Sequence, residues 1–217
     1  MSSEQISITE RTRVKRGHTR ASFDRKTLYE ILDATLLCHV GYLRDGKPAV
    51  VPTVQWREGD HIYWHGSSAS RALKNSVDED VCLTVTHLDG LILARSAFHH
   101  SVNYRSAVIY GRATKIIDPD IKAEKLENMV EKIMPGRWPH LRAMTPKEVK
   151  ATTVLSMPIE EASAKIRTGG PIDDDEDYEL PIWAGIVPIH SVMGKVEADP
   201  RNLQGLDIPE HVSSLLC

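Results

Sequence analysis

Two short turns fix most of what this chain can become. The apolar runs LLCHVGYL and PAVVPTVQW flank Arg44-Asp45-Gly46-Lys47, and Glu58-Gly59-Asp60 joins the second run to HIYWHG. Asp-Gly between β-rich runs signals a tight hairpin, because both central residues must take positive φ, which Asp tolerates and Gly adopts freely. Turns this short leave no room for a crossover helix, so an antiparallel three-stranded meander is predicted. Pro52 brings no N–H to a ladder, which places its stretch at an edge or a bulge.

The rest of the chain reads the same way. Val81–Leu88 alternates as a strand and Asp89-Gly90 is expected to turn it into Leu91–Thr114, LILARSAFHHSVNYRSAVIYGRAT. That stretch breaks off to offer two histidines, Asn103, Tyr104, Arg105 and Ser106 before alternation resumes. Polar groups placed inside a fold need partners, and a bound ligand is one way to supply them. Thr152–Met157 and Ala162–Arg167 are further strands, and LPIWAGIVPI is a last apolar element. Helices are predicted after Asp24 (Leu28, Ile31 and Leu32 on one face) and after Asp118-Pro119. The second carries Leu126, Met129, Val130 and Ile133 and closes at Pro135-Gly136, with Met129 and Met134 read as core. Thr145-Pro146-Lys147-Glu148 is a capping box for a third.

Gly66-Ser67-Ser68-Ala69-Ser70-Arg71 ends a strand in glycine and opens a short helix. Helix-start N–H groups, hydroxyls and a guanidinium suit a phosphate, whereas simple N-capping needs only one of the serines. The glycine spacing of a P-loop or a dinucleotide fingerprint is missing, so a mononucleotide or small phosphorylated molecule fits better.

Composition narrows the classes. A net charge of −3 supplies no basic field for nucleic acid or an anionic membrane. No apolar run approaches the roughly 20 residues of a membrane span, and the polar start lacks a secretory signal's apolar core. Cys38 and Cys82 sit in strand-like runs and Cys217 stands apart, so free thiols in a cytoplasmic protein are expected. The basic arm Met1–Ala21 (Arg11, Arg13, Lys15, Arg16, Arg20) is read as a loosely docked, solvated lead-in, and Asp173–Asp177 as a solvated loop. Residues 22–190 then form one domain, followed by a poorly ordered tail from 191 to 217.

Ten histidines raise the question of a metal. His61 and His65 share a strand face but stand roughly 13 Å apart, too far for one ion, and His99 and His100 are expected to point oppositely. No metal site is predicted. A Ser–His–Asp hydrolase lacks its Gly-x-Ser-x-Gly elbow.

The block SAFHHSVNYRSAVIYGRA resembles the central motif of the FMN-binding split-barrel proteins related to pyridoxamine 5'-phosphate oxidase, in the branch near the nitroimidazole-resistance reductases. The resemblance runs from about Arg11 to Pro188. It implies a mainly β, α+β fold: a six-stranded antiparallel split barrel with flanking helices, homodimeric, with FMN at the subunit interface. It places the phosphate on Ser70 and Arg71 with Ser67 nearby, and the flavin ring edge on Val51, Pro52, Thr53 and Val54. His65 and Gly66 fill the end of the third strand, Arg105 and Ser106 add polar contacts, and Trp183 resembles the tryptophan that packs near the flavin from the other subunit.

The family's best-known enzyme follows that tryptophan with an arginine-rich substrate clamp, whereas this chain has Ala184-Gly185-Ile186-Val187-Pro188-Ile189-His190. Oxidation of pyridoxamine 5'-phosphate is therefore not expected. The reading is an FMN-dependent oxidoreductase acting on a small neutral planar acceptor, with His65 or Tyr104 gating or protonating it. The alternative is a non-catalytic FMN carrier or sensor, or a split barrel holding haem on His65, His99 or His100.

Overall fold

The computed structural model describes residues 5–214; Cys217 and the first four residues of the arm lie outside the described residues. After the two-residue strand β1 (Ala21–Ser22), Asp24 caps α1 (Arg25–Asp33), its carboxylate accepting from the Thr27 N–H at 2.9 Å. Leu28, Ile31 and Leu32 are buried on one face of α1, at the spacing the sequence predicts.

The meander follows as β2 (Leu37–Arg44), β3 (Lys47–Glu58) and β4 (His61–Ser67). Asp45 and Gly46 take φ of 53° and 72°, the tight turn that Asp-Gly specifies. β3 changes partner midway: residues 47–54 pair with β2 and residues 55–58 with β4. Pro52 falls in the first half, which has β2 on one side and no ladder on the other among the described residues. At the changeover sits Gln55, wholly buried, whose amide donates to the Leu32 and Thr35 carbonyls at 2.8 and 2.7 Å. These bonds satisfy carbonyls at and just beyond the end of α1.

α2 (Arg71–Lys74) leads to the long strand β5 (Asp80–Leu93), then β6 (Ser101–Arg112) and β7 (Thr114–Lys115). The turn expected at Asp89-Gly90 does not form. β5 runs straight through it, with only a register shift between Leu88 and Gly90, and the chain turns instead through Ala97–His99. Gly90 is needed for close approach: a Cβ there would lie 3.1 Å from the Val187 carbonyl oxygen of a strand paired alongside.

α3 (Pro119–Ile133) and α4 (Pro146–Ala151) carry the expected caps at Asp118 and Thr145, the latter a complete capping box with Glu148. β8 (Thr152–Pro158), β9 (Glu161–Arg167), β10 (Gly185–Pro188) and α5 (Glu210–Ser213) complete the chain. The mainly antiparallel sheet runs β1-β9-β6-β5-β2-β3-β4-β8-β7, with β10 paired to β5, and does not close. This is the open, split sheet the sequence implies, with ten strands rather than six. The short β1, β7 and β10 extend it because each finds a bare edge on β9, β8 or β5.

One core lies between α1 and the inner faces of β2, β5, β6 and β9, built on Leu28, Leu32, Val40, Leu83, Val85 and Ile109. A second, smaller cluster joins Trp56, Tyr63, Leu126 and Val154 under α3. The N-terminal arm is docked, not loose: Ile6 and Thr12 are buried, and Arg11 pairs with Glu161 at 2.6 Å and Asp80 at 3.1 Å. Arg13, Lys15, Arg16 and Arg20 stay exposed. The acidic loop also departs from its expectation at one residue. Asp173 is buried and accepts from the Arg95 N–H and guanidinium, both at 3.0 Å, while Asp174 to Glu176 remain solvated. In the tail, His211 stacks on His140 with ring centroids 4.6 Å apart.

Candidate functional site

The residues expected to hold a flavin fall into separate groups. In the first, Thr53 on β3 donates to the His65 carbonyl at 3.4 Å, and Gly66 and Ser67 lead from β4 into α2. A Cβ on Gly66 would stand 3.0 Å from Leu73 Cδ1, so glycine lets α2 seat against the strand end. Ser70 caps α2, accepting from the Leu73 N–H at 3.5 Å, and Ser67 accepts from the Ala69 N–H at 3.2 Å. Arg71, next to both, is exposed. Val51 packs against the main core while Pro52 is exposed, as strand alternation requires.

The second group lies across the sheet. Ser106 pairs with Thr86 of β5 and donates to the Lys165 carbonyl at 3.3 Å. Arg105 holds Asp89 through two bonds of 2.9 and 2.8 Å, and this guanidinium keeps the Asp89 carboxyl below its ordinary pKa. In the strand order β5 and β2 lie between β6 and β3, so no ladder places Ser106 beside Ser70 or Arg71. Tyr104, half-buried, pairs in register with Arg167. Trp183 is 70% exposed. The outward sheet face also leaves Leu37 (60%), Leu43 (60%) and Val50 (67%) bare.

His65 belongs to a different place. Its side chain lines a mostly apolar cavity of about 460 Å³ with Leu126, Met129, Val130, Trp138, Leu141 and Met144, to which Arg142, Glu148 and Thr152 also contribute. Its Nδ1 is buried with no hydrogen-bond partner, and burial pushes the imidazole's pKa below its ordinary value, so the ring is neutral at pH 7. A second cavity of about 650 Å³ shares Trp138, Leu141, Arg142 and Met144 and continues to Lys122. Together they form a trough between α3 and the segment 138–150. Met129, read from the sequence as closed core, is part of its wall.

The sequence did not locate this trough. Its signal was the alternation of HIYWHG, which puts Tyr63 and His65 on one face of β4, with Tyr63 stacked on Trp56 at 5.6 Å. The other histidines are engaged elsewhere: His99 Nε2 meets Asp174 at 3.4 Å and His100 Nδ1 meets the Ser96 carbonyl at 2.9 Å. Among the described residues no three His, Cys, Asp or Glu side chains cluster to hold a metal ion by themselves. Cys38 is free and inert, its thiol pushed up to about 12 by burial. No described helix is long and apolar enough to cross a membrane.

A family model described as pyridoxamine 5'-phosphate oxidase matches residues 24–166, which takes in β2 to all but the last residue of β9 and the candidate contacts other than Trp183. The chain belongs to the pyridoxamine 5'-phosphate oxidase family. The flavocytochrome Anf3 from Azotobacter vinelandii is 50% identical and superposes with a TM-score of 0.92, covering 95% of this chain and 96% of that one. The FAD and haem binding protein from Mycobacterium smegmatis is 35% identical with a TM-score of 0.87, over 90% of this chain and 97% of that one. A candidate 5-nitroimidazole antibiotic resistance protein from Bacteroides thetaiotaomicron, 21% identical with a TM-score of 0.56 over 67% of this chain and 86% of that one, shares the fold. No curated protein matches the chain.

Proposed function

We propose that this protein is a redox protein holding both a flavin and a haem, with His65 as the axial haem ligand. The observation that carries the reading is His65 itself, a neutral imidazole with a buried, partnerless ring nitrogen in a cavity walled by Leu126, Met129, Trp138 and Met144. The ring lines this cavity in its neutral form, and a metal centre carried by an apolar macrocycle would suit both the imidazole and the walls. The solved relatives that share 50% and 35% identity are described as a flavocytochrome and as an FAD and haem binding protein, which supports the pairing. His99 and His100, the other candidates for that role, are turned to Asp174 and to the Ser96 carbonyl.

The flavin belongs on the outward face of the sheet. Arg71 and the N–H groups at the start of α2 neutralise its phosphate, and Ser106, on the outward face beside Thr86, satisfies a polar atom of the ring; Thr53, in register with buried Cys38, lies on the other face of β3. FMN was the expectation from the sequence. FAD, named for the relative, contains the same phosphate-bearing half, so these contacts serve either. Because Ser106 lies on β6 and Arg71 on α2 after β4, and Leu37, Val50 and Trp183 are bare, a second copy completes this site, bringing its own Ser106 and Trp183 to the first copy's Arg71.

A flavin supplies two-electron chemistry and a haem one-electron or oxygen chemistry; the protein sets access and charge around each. Without an arginine cluster after Trp183, an anionic phosphate ester has no charge partner there, so pyridoxamine 5'-phosphate is not the substrate. The test is the absorbance spectrum of the purified protein together with chromatography of its released cofactors. Flavin absorbance with a Soret band is expected, and the absence of the Soret band after growth with ample haem would overturn the His65 assignment.

A further inference from the structure

The trough has a second polar end. Lys122 lies one turn before Leu126 on the inward face of α3, only 7% exposed. Its ammonium has a single long contact, to the Val149 carbonyl at 3.4 Å, and no carboxylate pairs with it among the described residues. Burial, and then repulsion from Lys115, lower its pKa. Lys150 and Arg142 line the same cavity. Arg142 is already held by Glu148 at 2.5 Å, and Asp120, the carboxylate lining this cavity, is exposed and makes no bond to Lys122. A buried cation without an anion is expensive in a fold that does not use it. The walls of this cavity are otherwise mostly apolar (Ile117, Ala123, Trp138, Leu141, Met144 and Val149), and Trp138, Leu141 and Met144 are shared with the His65 cavity, as is the Glu148-paired Arg142.

We propose that the Lys122 end of the trough is an anion subsite, which seats a carboxylate carried at one edge of the apolar ligand whose other part meets His65. The subsite rests on the haem reading in one respect: the propionates of haem are the carboxylates it takes. The dimensions agree. Lys122 and Met129 are seven residues apart on α3, roughly 10 Å along the axis, so the ligand must be extended, apolar through its middle and acidic at the Lys122 end. Lys122 is a positioning residue. It fixes which edge of the ligand enters first and leaves coordination to His65.

The experiment titrates the full-length protein, produced without added haem, with hemin and with hemin dimethyl ester, following the Soret band. The unmodified protein should bind hemin about tenfold tighter than the ester, the worth of one charge-assisted contact. Lys122→Met keeps the length of the side chain and should erase that preference without moving the Soret maximum, because the ligand to iron is unchanged. Lys122→Arg should restore the preference. Equal binding of acid and ester by the unmodified protein, or a preference that survives in Lys122→Met, overturns the subsite while leaving His65 in place. If neither porphyrin shifts its Soret band, the His65 reading falls, and dodecanoate against dodecanol then tests the subsite alone. A preference for the acid that depends on Lys122 supports it, and no preference overturns it.

Discussion

The trough beside His65 and the outward face of β2, β3, β5 and β6 are built to opposite specifications. The trough is walled by the chain's own side chains, from α3, from β4 and from the segment 138–150. The outward face carries Leu37, Leu43 and Val50 bare, Trp183 is bare in the segment before β10, and Ser106 on β6 has no ladder to β4 or α2. One region needs only its ligand. The other needs a second surface as well. On the reading proposed above, a single chain would finish the His65 site and leave the flavin site half-made, and the two should respond differently to the same perturbation.

The largest difference is expected at His65. His65→Ala should abolish the Soret band of the purified protein and leave flavin absorbance unchanged, whereas His99→Ala and His100→Ala should keep both. Loss of flavin together with haem in His65→Ala would erase the distinction between the regions. Next comes the bare face. Leu37→Asp combined with Val50→Asp puts charge where apolar surface must pair, so sedimentation should report a ~24 kDa monomer that has lost its flavin and kept its haem. A monomer that retains flavin would show that one chain completes both sites.

Smaller still is Arg71→Ala, a single charge-assisted contact to phosphate. Flavin affinity should fall by about 1.5–3 kcal/mol, roughly 10- to 150-fold, with the Soret band untouched. Riboflavin, which lacks the phosphate, should show no such dependence on Arg71.

The smallest effect concerns the loop that leads to Trp183. Burial alone would raise the Asp173 carboxyl, but the Arg95 N–H, the Arg95 guanidinium and the Ser96 N–H together hold it below its ordinary 3.8. A carboxyl whose pKa is depressed by folding contributes stability in full above its unfolded value, and that contribution is lost as pH falls through the lower, folded value. Asp173→Asn should therefore lower the melting temperature at pH 7, with the gap from the unmodified protein closing below about pH 3.8. A gap that stays constant down to pH 3 would mean that the Arg95 contact does not hold the loop.

How legible these regions were in the sequence depended on how local their chemistry is. Caps at Asp24, Asp118 and Thr145 and the Asp45-Gly46 turn are decided within four residues, and the structure has them where the sequence puts them. Asp89-Gly90 uses the same residue types, but β10 arrives from a hundred residues away to lie against Gly90, and what reads as a turn is a straight strand. The arm fails for the same reason, since its anchors Glu161 and Asp80 are remote in the chain. His65 was visible as a strand-end histidine. That its ring nitrogen lacks a partner depends on walls contributed by 126–152, and no spacing encodes that.

The two halves of β3 join these regions. Its first half carries Thr53, its second carries Trp56, and Gln55 between them is fastened to the end of α1. Thr53 in turn reaches the His65 carbonyl. If the proposed flavin and haem are bound, β3 and the Gln55 anchor hold their two sites like the ends of a fixed ruler. Control of electron transfer between them would then lie in the potentials at the two ends.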